Sequence, residues 1–129
     1  MEELSYKAKI AVVRILNEIM NADKIVHEKE VEYLNDVIKS FNLEENYEEE
    51  VKGIMTLEAL SIIRGLSLEQ KGEIAKMMGN MIVVDKDINY NEVKLYNAFC
   101  ESCAINKDFN VEDYPDATLS GPFVNPEDI

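Results

Sequence analysis

One short loop pattern occurs twice in this chain, and it constrains the fold more than any other feature of the sequence. The first copy spans residues 22–30 (ADKIVHEKE) and the second spans residues 84–92 (VDKDINYNE). Each has an Asp, an apolar residue three positions later, a candidate helix cap next, and a Glu three positions after the cap. A Glu at that position can bond back to the amide of the capping residue. The pattern therefore predicts a loop that leads into a helix.

The repeat is longer than the loop itself. Residues 23–43 align with residues 85–105 at a constant offset of 62 residues, from Asp23 to Asp85. Each loop also lies between two segments in which apolar residues recur at helical spacing. Two copies are too few for an array of repeats. We therefore predict two helix-loop-helix units packed around one core and related by a local two-fold axis, so that Asp23 and Glu30 have the same local roles as Asp85 and Glu92.

Length and charge limit the class of protein. A chain of 129 residues is the size of one domain and can bury a core without disulfides. No apolar run approaches the roughly 20 residues that a membrane-spanning helix needs. The first residues are acidic, whereas a signal peptide begins with basic residues, so we expect a cytoplasmic protein with no membrane span. The net charge of −13 disfavours nucleic acid and favours a divalent cation or a basic protein surface; it also serves solubility.

Helix start and stop signals divide the chain into six segments. We predict helices from Leu4 to Met20, from about residue 28 to Phe41 with Asn42 as terminator, and from about residue 47 to 54 behind an acidic run. Further helices are predicted from an N-cap at Thr56 to Gly65, from a capping box at Ser67 to about residue 84, and from Asn89 onward. No strand is predicted. The predicted architecture is an all-α, single-domain helical bundle over residues 1–110, with an irregular tail over residues 111–129 that contains Pro115, Gly121, Pro122 and Pro126.

Two helix faces carry further predictions. The second helix should bury Val31, Leu34, Val37, Ile38 and Phe41, and the last major helix should bury Val93, Tyr96, Phe99, Cys100 and Cys103. Tyr90 lies off that face and should be largely exposed. Cys100 and Cys103 form a CxxC string, but they lie late in a helix, where no N-terminal dipole lowers a thiol pKa. Buried apolar packing is therefore the favoured interpretation of the two thiols.

At the two loops the sequence resembles the TerB-like family, which includes the tellurite resistance protein TerB and the N-terminal region of DjlA-type co-chaperones. The family pattern is Ala-Asp-Gly-x-Ile-Ser-x-x-Glu, used twice in an all-helical domain. The residues that match it are Ala22, Asp23, Val26, His27 and Glu30 in the first copy and Asp85, Ile88, Asn89 and Glu92 in the second. The resemblance covers roughly residues 4–106. One departure is consistent: Lys24 and Lys86 stand where the family has Gly, which enters the left-handed region more easily than Lys does.

The resemblance implies a function that is binding and not catalysis. It implies a non-catalytic acidic module of the tellurite-resistance or metal-stress type with a protein partner, and the oxygen donors of the two acidic loops add a candidate site for a divalent cation, Ca²⁺ or Mg²⁺. The candidate ligands are Asp23, Glu30, Asp85, Asp87, Asn89 and Glu92. Weak association of the chain with itself is left open. A hydrolase is disfavoured because no nucleophile and base stand out in the sequence.

Two alternatives to that cation site are left open. The same Asp and Glu residues could serve only as turn and capping groups. The second loop alone could bind calcium like an EF-hand, because residues 85, 87, 89 and 91 are oxygen donors at alternate positions, but Tyr90 and Tyr96 stand where that loop needs Gly and Glu. His27 is expected to be an exposed capping residue and not a ligand.

Overall fold

A single buried helix forms the centre of the fold. The computed structural model of the protein describes residues 3–23, 25–107 and 109–121. Its helices are α1 (Tyr6–Met20), α2 (Glu28–Phe41), α3 (Tyr47–Gly53), α4 (Thr56–Arg64), α5 (Leu68–Val83) and α6 (Tyr90–Cys103). The helix α1 contacts each of the other five helices. Its apolar face is fully buried from Ala8 to Ile19. The all-α bundle expected from the sequence is confirmed.

The signals at the helix ends act largely as predicted. The capping box of α5 is present, because the Ser67 hydroxyl accepts from the Gln70 amide and the Gln70 side chain accepts from the Ser67 amide. Asn42 ends α2 in the left-handed region, with φ of 52°. Thr56 is the first residue of α4 and Met55 is its cap, one residue earlier than predicted. The hydroxyl of Thr56 donates instead to Glu18 on α1.

On α2 the apolar pattern is wrong at one position. Leu34, Val37 and Phe41 are buried as predicted and Ile38 is half-buried against the core, but Val31 is 37% exposed. The buried residue in this turn is Glu30, which has no exposed surface. A hydrophobic pattern cannot predict this exchange, because it assigns every carboxylate to solvent.

The predicted absence of strands is also wrong. Two short strands, β1 (Asp87–Asn89) and β2 (Thr118–Ser120), pair in parallel with Ile88 opposite Leu119. The tail was predicted to be irregular, yet β2 and a 3₁₀ turn (Val111–Asp113) give part of it regular structure. Strands of three residues are too short to show an alternating pattern. The tail residues Pro122 and Pro126 lie outside the described residues.

The tail holds the second unit through side chains as well as backbone. The hydroxyls of Thr118 and Ser120 donate to the Asp87 carboxylate at 2.8 and 2.9 Å. The ring of Phe109 lies 5.8 Å from the ring of Tyr96, measured between centroids. These contacts fix the tail across the end of α5 and the start of α6.

The α6 face is confirmed. All five predicted core residues of α6 are buried, and Tyr96 is 1% exposed. Tyr90 is half-buried, so the expectation of a largely exposed ring is wrong. Cys100 and Cys103 are free thiols with no exposed surface, and burial raises the pKa of Cys103 to about 11. The thiol of Cys103 donates to the Leu60 carbonyl at 3.5 Å. These features are those of packed core residues.

The helix contacts have the pattern that a local two-fold axis produces. Under the repeat, α1 corresponds to α5 and α2 corresponds to α6. The contact between α1 and α6 then corresponds to the contact between α2 and α5. In the same way, the contact between α1 and α2 corresponds to the contact between α5 and α6. The two loops therefore come together at one end of the bundle. Within the described residues, no helix is long and apolar enough to cross a membrane.

Candidate metal centre

Two glutamates meet in the protein interior where the loops come together. Glu30 is 0% exposed and Glu92 is 1% exposed. Their carboxyl groups are hydrogen-bonded to each other. The two residues occupy the same position in the repeat, the third residue of α2 and of α6. A residue that contacts its own equivalent lies beside the symmetry axis.

Helix capping brings the first of these glutamates into position. Glu30 accepts a hydrogen bond from the His27 amide at 3.2 Å, which completes a capping box at the start of α2. The sequence predicted this bond. It also predicted a bond from the Asn89 amide to Glu92, which is absent although both residues are described. Asn89 caps α6 by accepting from the Asn91 amide at 2.8 Å.

The two loop aspartates have matching roles. Asp23 accepts from the Ile25 amide at 3.0 Å, and Asp85 accepts from the Asp87 amide at 3.1 Å. These bonds close tight turns, as the sequence predicted. Both aspartates also act electrostatically on the interior, because each raises the pKa of Glu92. Capping and turn formation therefore account for one oxygen of each aspartate and of Glu30.

Three buried carboxylate oxygens take no part in capping or in turn formation. Glu30 Oε2, Asp85 Oδ2 and Glu92 Oε2 are buried, and no N–H or hydroxyl group in the described part of the chain donates a hydrogen bond to them. A buried polar atom without a partner destabilises a fold by about 1–3 kcal/mol, and more when it is charged. Buried acceptors of this kind are rare in proteins, so three at one place need a physical explanation.

Protonation explains part of this arrangement. Burial, then the hydrogen bond to Glu30, then the charges of Glu30, Asp23 and Asp85 raise the pKa of Glu92 far above its usual 4.5. Burial also raises the pKa of Glu30, although the hydrogen bond to Glu92 opposes that shift. Two carboxyl groups this close cannot both ionise in a dry interior. Near neutral pH, Glu92 therefore holds a proton and donates it to the Glu30 carboxylate.

His27 extends this cluster toward the surface. Its Nε2 lies 3.5 Å from Asp85 Oδ2, and the two residues and Asp87 can each offer one ligand atom within 4.8 Å of the others. The expectation of an exposed His27 is wrong, because the residue is half-buried beside Asp85. No sequence signal could have found this contact, since the two residues lie in different units and meet only after folding.

The other predicted ligands are engaged elsewhere. Both oxygens of Asp87 accept from tail hydroxyls, and the Asn89 side chain donates to the Ser120 hydroxyl at 3.1 Å while its oxygen caps α6. Tyr96, at the last ligand position of an EF-hand, is buried in the core. The second loop therefore does not have the geometry of an EF-hand. The structure brings Glu30 and Glu92 together in the interior, beside the group of His27, Asp85 and Asp87 whose ligand atoms lie within 4.8 Å of one another, and leaves Asn89 in a structural role.

The donor set suits a hard divalent cation. Ca²⁺ and Mg²⁺ prefer carboxylate oxygens, and the three unpartnered oxygens are carboxylate oxygens. A cation would give these atoms the partners that the protein does not supply. Because the ligands must be ionised, cation binding would release the proton that Glu92 holds.

Comparison with known proteins shows the fold alone. No family model matches the chain, and no curated protein matches it. A solved structure of a protein of unknown function, PG1108 from Porphyromonas gingivalis W83, is similar with a TM-score of 0.72. The similarity covers 84% of this chain and 86% of that chain, at 18% sequence identity. The bundle therefore occurs in a protein of very different sequence whose function is unknown.

Proposed function

We propose that this chain is a TerB-like, non-catalytic acidic module of the cytoplasm that binds a divalent cation, Ca²⁺ or Mg²⁺, where its two helix-loop-helix units meet. Glu30, Asp85 and Glu92 are the central ligands in this proposal, and Asp23 and His27 lie at its edge. Its role would be of the tellurite-resistance or metal-stress type, and it would also bind a protein partner.

One observation carries the proposal: Glu30 Oε2, Asp85 Oδ2 and Glu92 Oε2 are buried where the two units meet and receive no N–H or hydroxyl hydrogen bond from the described part of the chain, although Asp85 Oδ2 lies 3.5 Å from His27 Nε2. A capping role explains Glu30 Oε1 and Asp85 Oδ1. It does not explain why the second oxygens are also withdrawn from water. A cation near the axis would neutralise the carboxylates of both units at once and so hold the two loops together.

We assign no reaction to this site. Glu30 and Glu92 have at most 1% of their surface exposed, so a substrate has no access to their carboxyl groups. The strongly raised pKa of Glu92 follows from burial and from its hydrogen bond to Glu30. A buried pair that shares a proton is consistent with a structural or cation-binding role.

Thermal unfolding of the metal-free protein tests the proposal. The melting temperature is measured after chelation and again with Ca²⁺, Mg²⁺, Mn²⁺ or Zn²⁺ at millimolar concentration. At a hundredfold excess over Kd, a bound cation adds about 2.7 kcal/mol to the free energy of unfolding, or roughly 10 °C for a chain of this size. Isothermal titration should give one site per chain. A melting temperature that does not change with any of the four cations would refute the cation-binding function.

Two variants distinguish a site shared by both units from a site in the second loop alone. Glu30→Gln changes only the first unit, so it abolishes cation-dependent stabilisation if the site is shared and preserves it if the second loop binds alone. Glu49→Gln is the matched control, because Glu49 is an exposed acid on α3. Cation-dependent stabilisation that survives Glu30→Gln would favour the EF-hand-like alternative.

A further inference from the structure

The two units differ sharply in how well their equivalent apolar residues are covered. Ile88 and Val93 in the second unit are 0% and 1% exposed. Their equivalents in the first unit, Val26 and Val31, are 46% and 37% exposed, and Ile25 is 62% exposed. The first unit therefore has apolar residues that are exposed to water in the described part of the chain, although their equivalents in the second unit are buried.

In the second unit the tail forms a strand beside the first of these positions. The strand β2 pairs with β1 in a register that sets Leu119 against Ile88. The Thr118 amide donates to the Lys86 carbonyl at 2.9 Å, which begins the parallel ladder. Ile88 itself lies in the buried core, where β1 contacts α5 and α6, and the short extended segment β2 completes the backbone pairing beside it.

The first unit presents a backbone edge at the equivalent residue. The Ile25 amide is used by Asp23 and the His27 amide is used by Glu30. The His27 carbonyl accepts from the amides at the start of α2. Between these groups, the N–H and C=O of Val26 make no hydrogen bond in the described structure. Val26 is the equivalent of Ile88, the central residue of β1, so its free groups point to the same kind of pairing.

We propose that residues 25–27, with Val31, form a docking edge for an extended segment of a different protein, which adds a strand beside Val26 as β2 does beside Ile88. We name this surface the first-loop edge. The proposal rests on the protein-partner part of the proposed function and is independent of the cation site. Strand addition of this kind takes its affinity from backbone hydrogen bonds and its selectivity from alternate side chains.

The chemistry of the first-loop edge defines the segment that fits it. In the second unit the tail presents the hydroxyls of Thr118 and Ser120 to Asp87. Ile25 stands at the position of Asp87 in the first unit, so the segment there presents apolar side chains in place of hydroxyls. The net charge of −13 favours basic flanks on the partner and opposes the approach of a second copy of the same chain.

Nuclear magnetic resonance of the full chain tests this with a synthetic probe peptide of sequence KVIVSVK. Binding should shift the amide signals of residues 25–31 and leave those of the opposite end of the bundle unchanged. Methylation of the nitrogen of the residue after the central peptide residue removes the hydrogen bond to the Val26 carbonyl and should weaken binding about fivefold. The acidic peptide EVIVSVE should bind more weakly still, because its charge matches that of the protein.

Two protein variants complete the test. Val26→Asp should abolish the shifts, and the control Leu68→Asp should leave them intact, because Leu68 is an equally apolar exposed residue (78%) on another helix. Equal binding of the methylated and unmethylated peptides, or shifts centred away from residues 25–31, would overturn strand addition. Dimerisation of the chain that Val26→Asp abolishes would show that a second copy occupies the edge, and it would also overturn the proposal. Because all titrations use chelated protein, their result does not depend on whether the cation function holds.

Discussion

Replacing Glu92 by Gln should stabilise the metal-free protein at neutral pH, although it alters a buried residue. The folded-state pKa of Glu92 lies far above 4.5, its value in the unfolded chain. Unfolding near neutral pH therefore releases a proton, and the release favours the unfolded state. Stability from this group is fully present below pH 4.5 and is lost as the pH rises toward the folded-state pKa. Gln is always neutral and can donate an N–H to Glu30, so it has no such loss.

The magnitude follows from the shift. If Glu92 keeps its proton at pH 7, the loss spans about two and a half pH units at about 1.4 kcal/mol each, or roughly 3 kcal/mol. The amide fits the site of a carboxyl group imperfectly, so we expect Glu92→Gln to raise the free energy of unfolding by about 2 kcal/mol at pH 7. At pH 4.5 this pH-dependent gain is nearly absent and only the imperfect fit remains, so Glu92→Gln should lower the free energy of unfolding by about 1 kcal/mol.

Urea unfolding at both pH values, in buffer with a chelator, measures this difference. The control is Glu49→Gln, an exposed residue whose replacement should change stability little at either pH. The reasoning fails if Glu92→Gln destabilises the protein by the same amount at both pH values, because that would mean that the carboxyl group is ionised and needed as such. With saturating cation the native sequence should be more stable than Glu92→Gln, because the variant has lost a charged ligand.

Three further predictions address the fold. Lys86 has φ of 62°, a left-handed conformation that Gly adopts easily and Val does not. In urea titrations Lys86→Gly should therefore raise the free energy of unfolding by about 0.5 kcal/mol, and Lys86→Val should lower it by about 1–2 kcal/mol. A Val variant more stable than the Gly variant would refute strain at this turn. Ser67→Ala should cost about 1 kcal/mol in the same assay through loss of the capping box, and a cost below that of a surface Ser→Ala change would contradict the cap. Cys100 and Cys103 should react with a thiol reagent only slowly unless denaturant is added, and rapid labelling of the native protein would contradict their burial.

Helical periodicity and capping residues were sufficient to predict the bundle. The face of α1 and the ends at Ser67 and Asn42 follow from local rules, because each depends on residues within about one helical turn. Local rules failed where tertiary contacts decide the structure. The strand β2 exists because Asp87 offers acceptors to Thr118 and Ser120 across more than 30 residues of chain, and no local pattern records that pairing.

The candidate site was predicted in part. Asp23, Glu30 and Asp85 have the capping and turn bonds that their spacing implied. The burial of Glu30 and Glu92 was not predicted, because composition and periodicity treat a carboxylate as a surface group. The contact of His27 with Asp85 was missed for a different reason, since it joins the two units.

The repeat itself contained a signal for the buried pair. A two-fold axis through two similar units brings some residue against its own equivalent, and the equivalent residues of a duplicated sequence tend to carry the same charge. Glu30 and Glu92 are such a pair, identical in sequence and in contact near the axis. Like charges in a dry interior persist only if a proton or a cation lies between them. The need of this buried pair for a proton or a cation thus follows from the duplication of an acidic loop, and in the proposed function the cation would bind beside the buried oxygens of Glu30, Asp85 and Glu92.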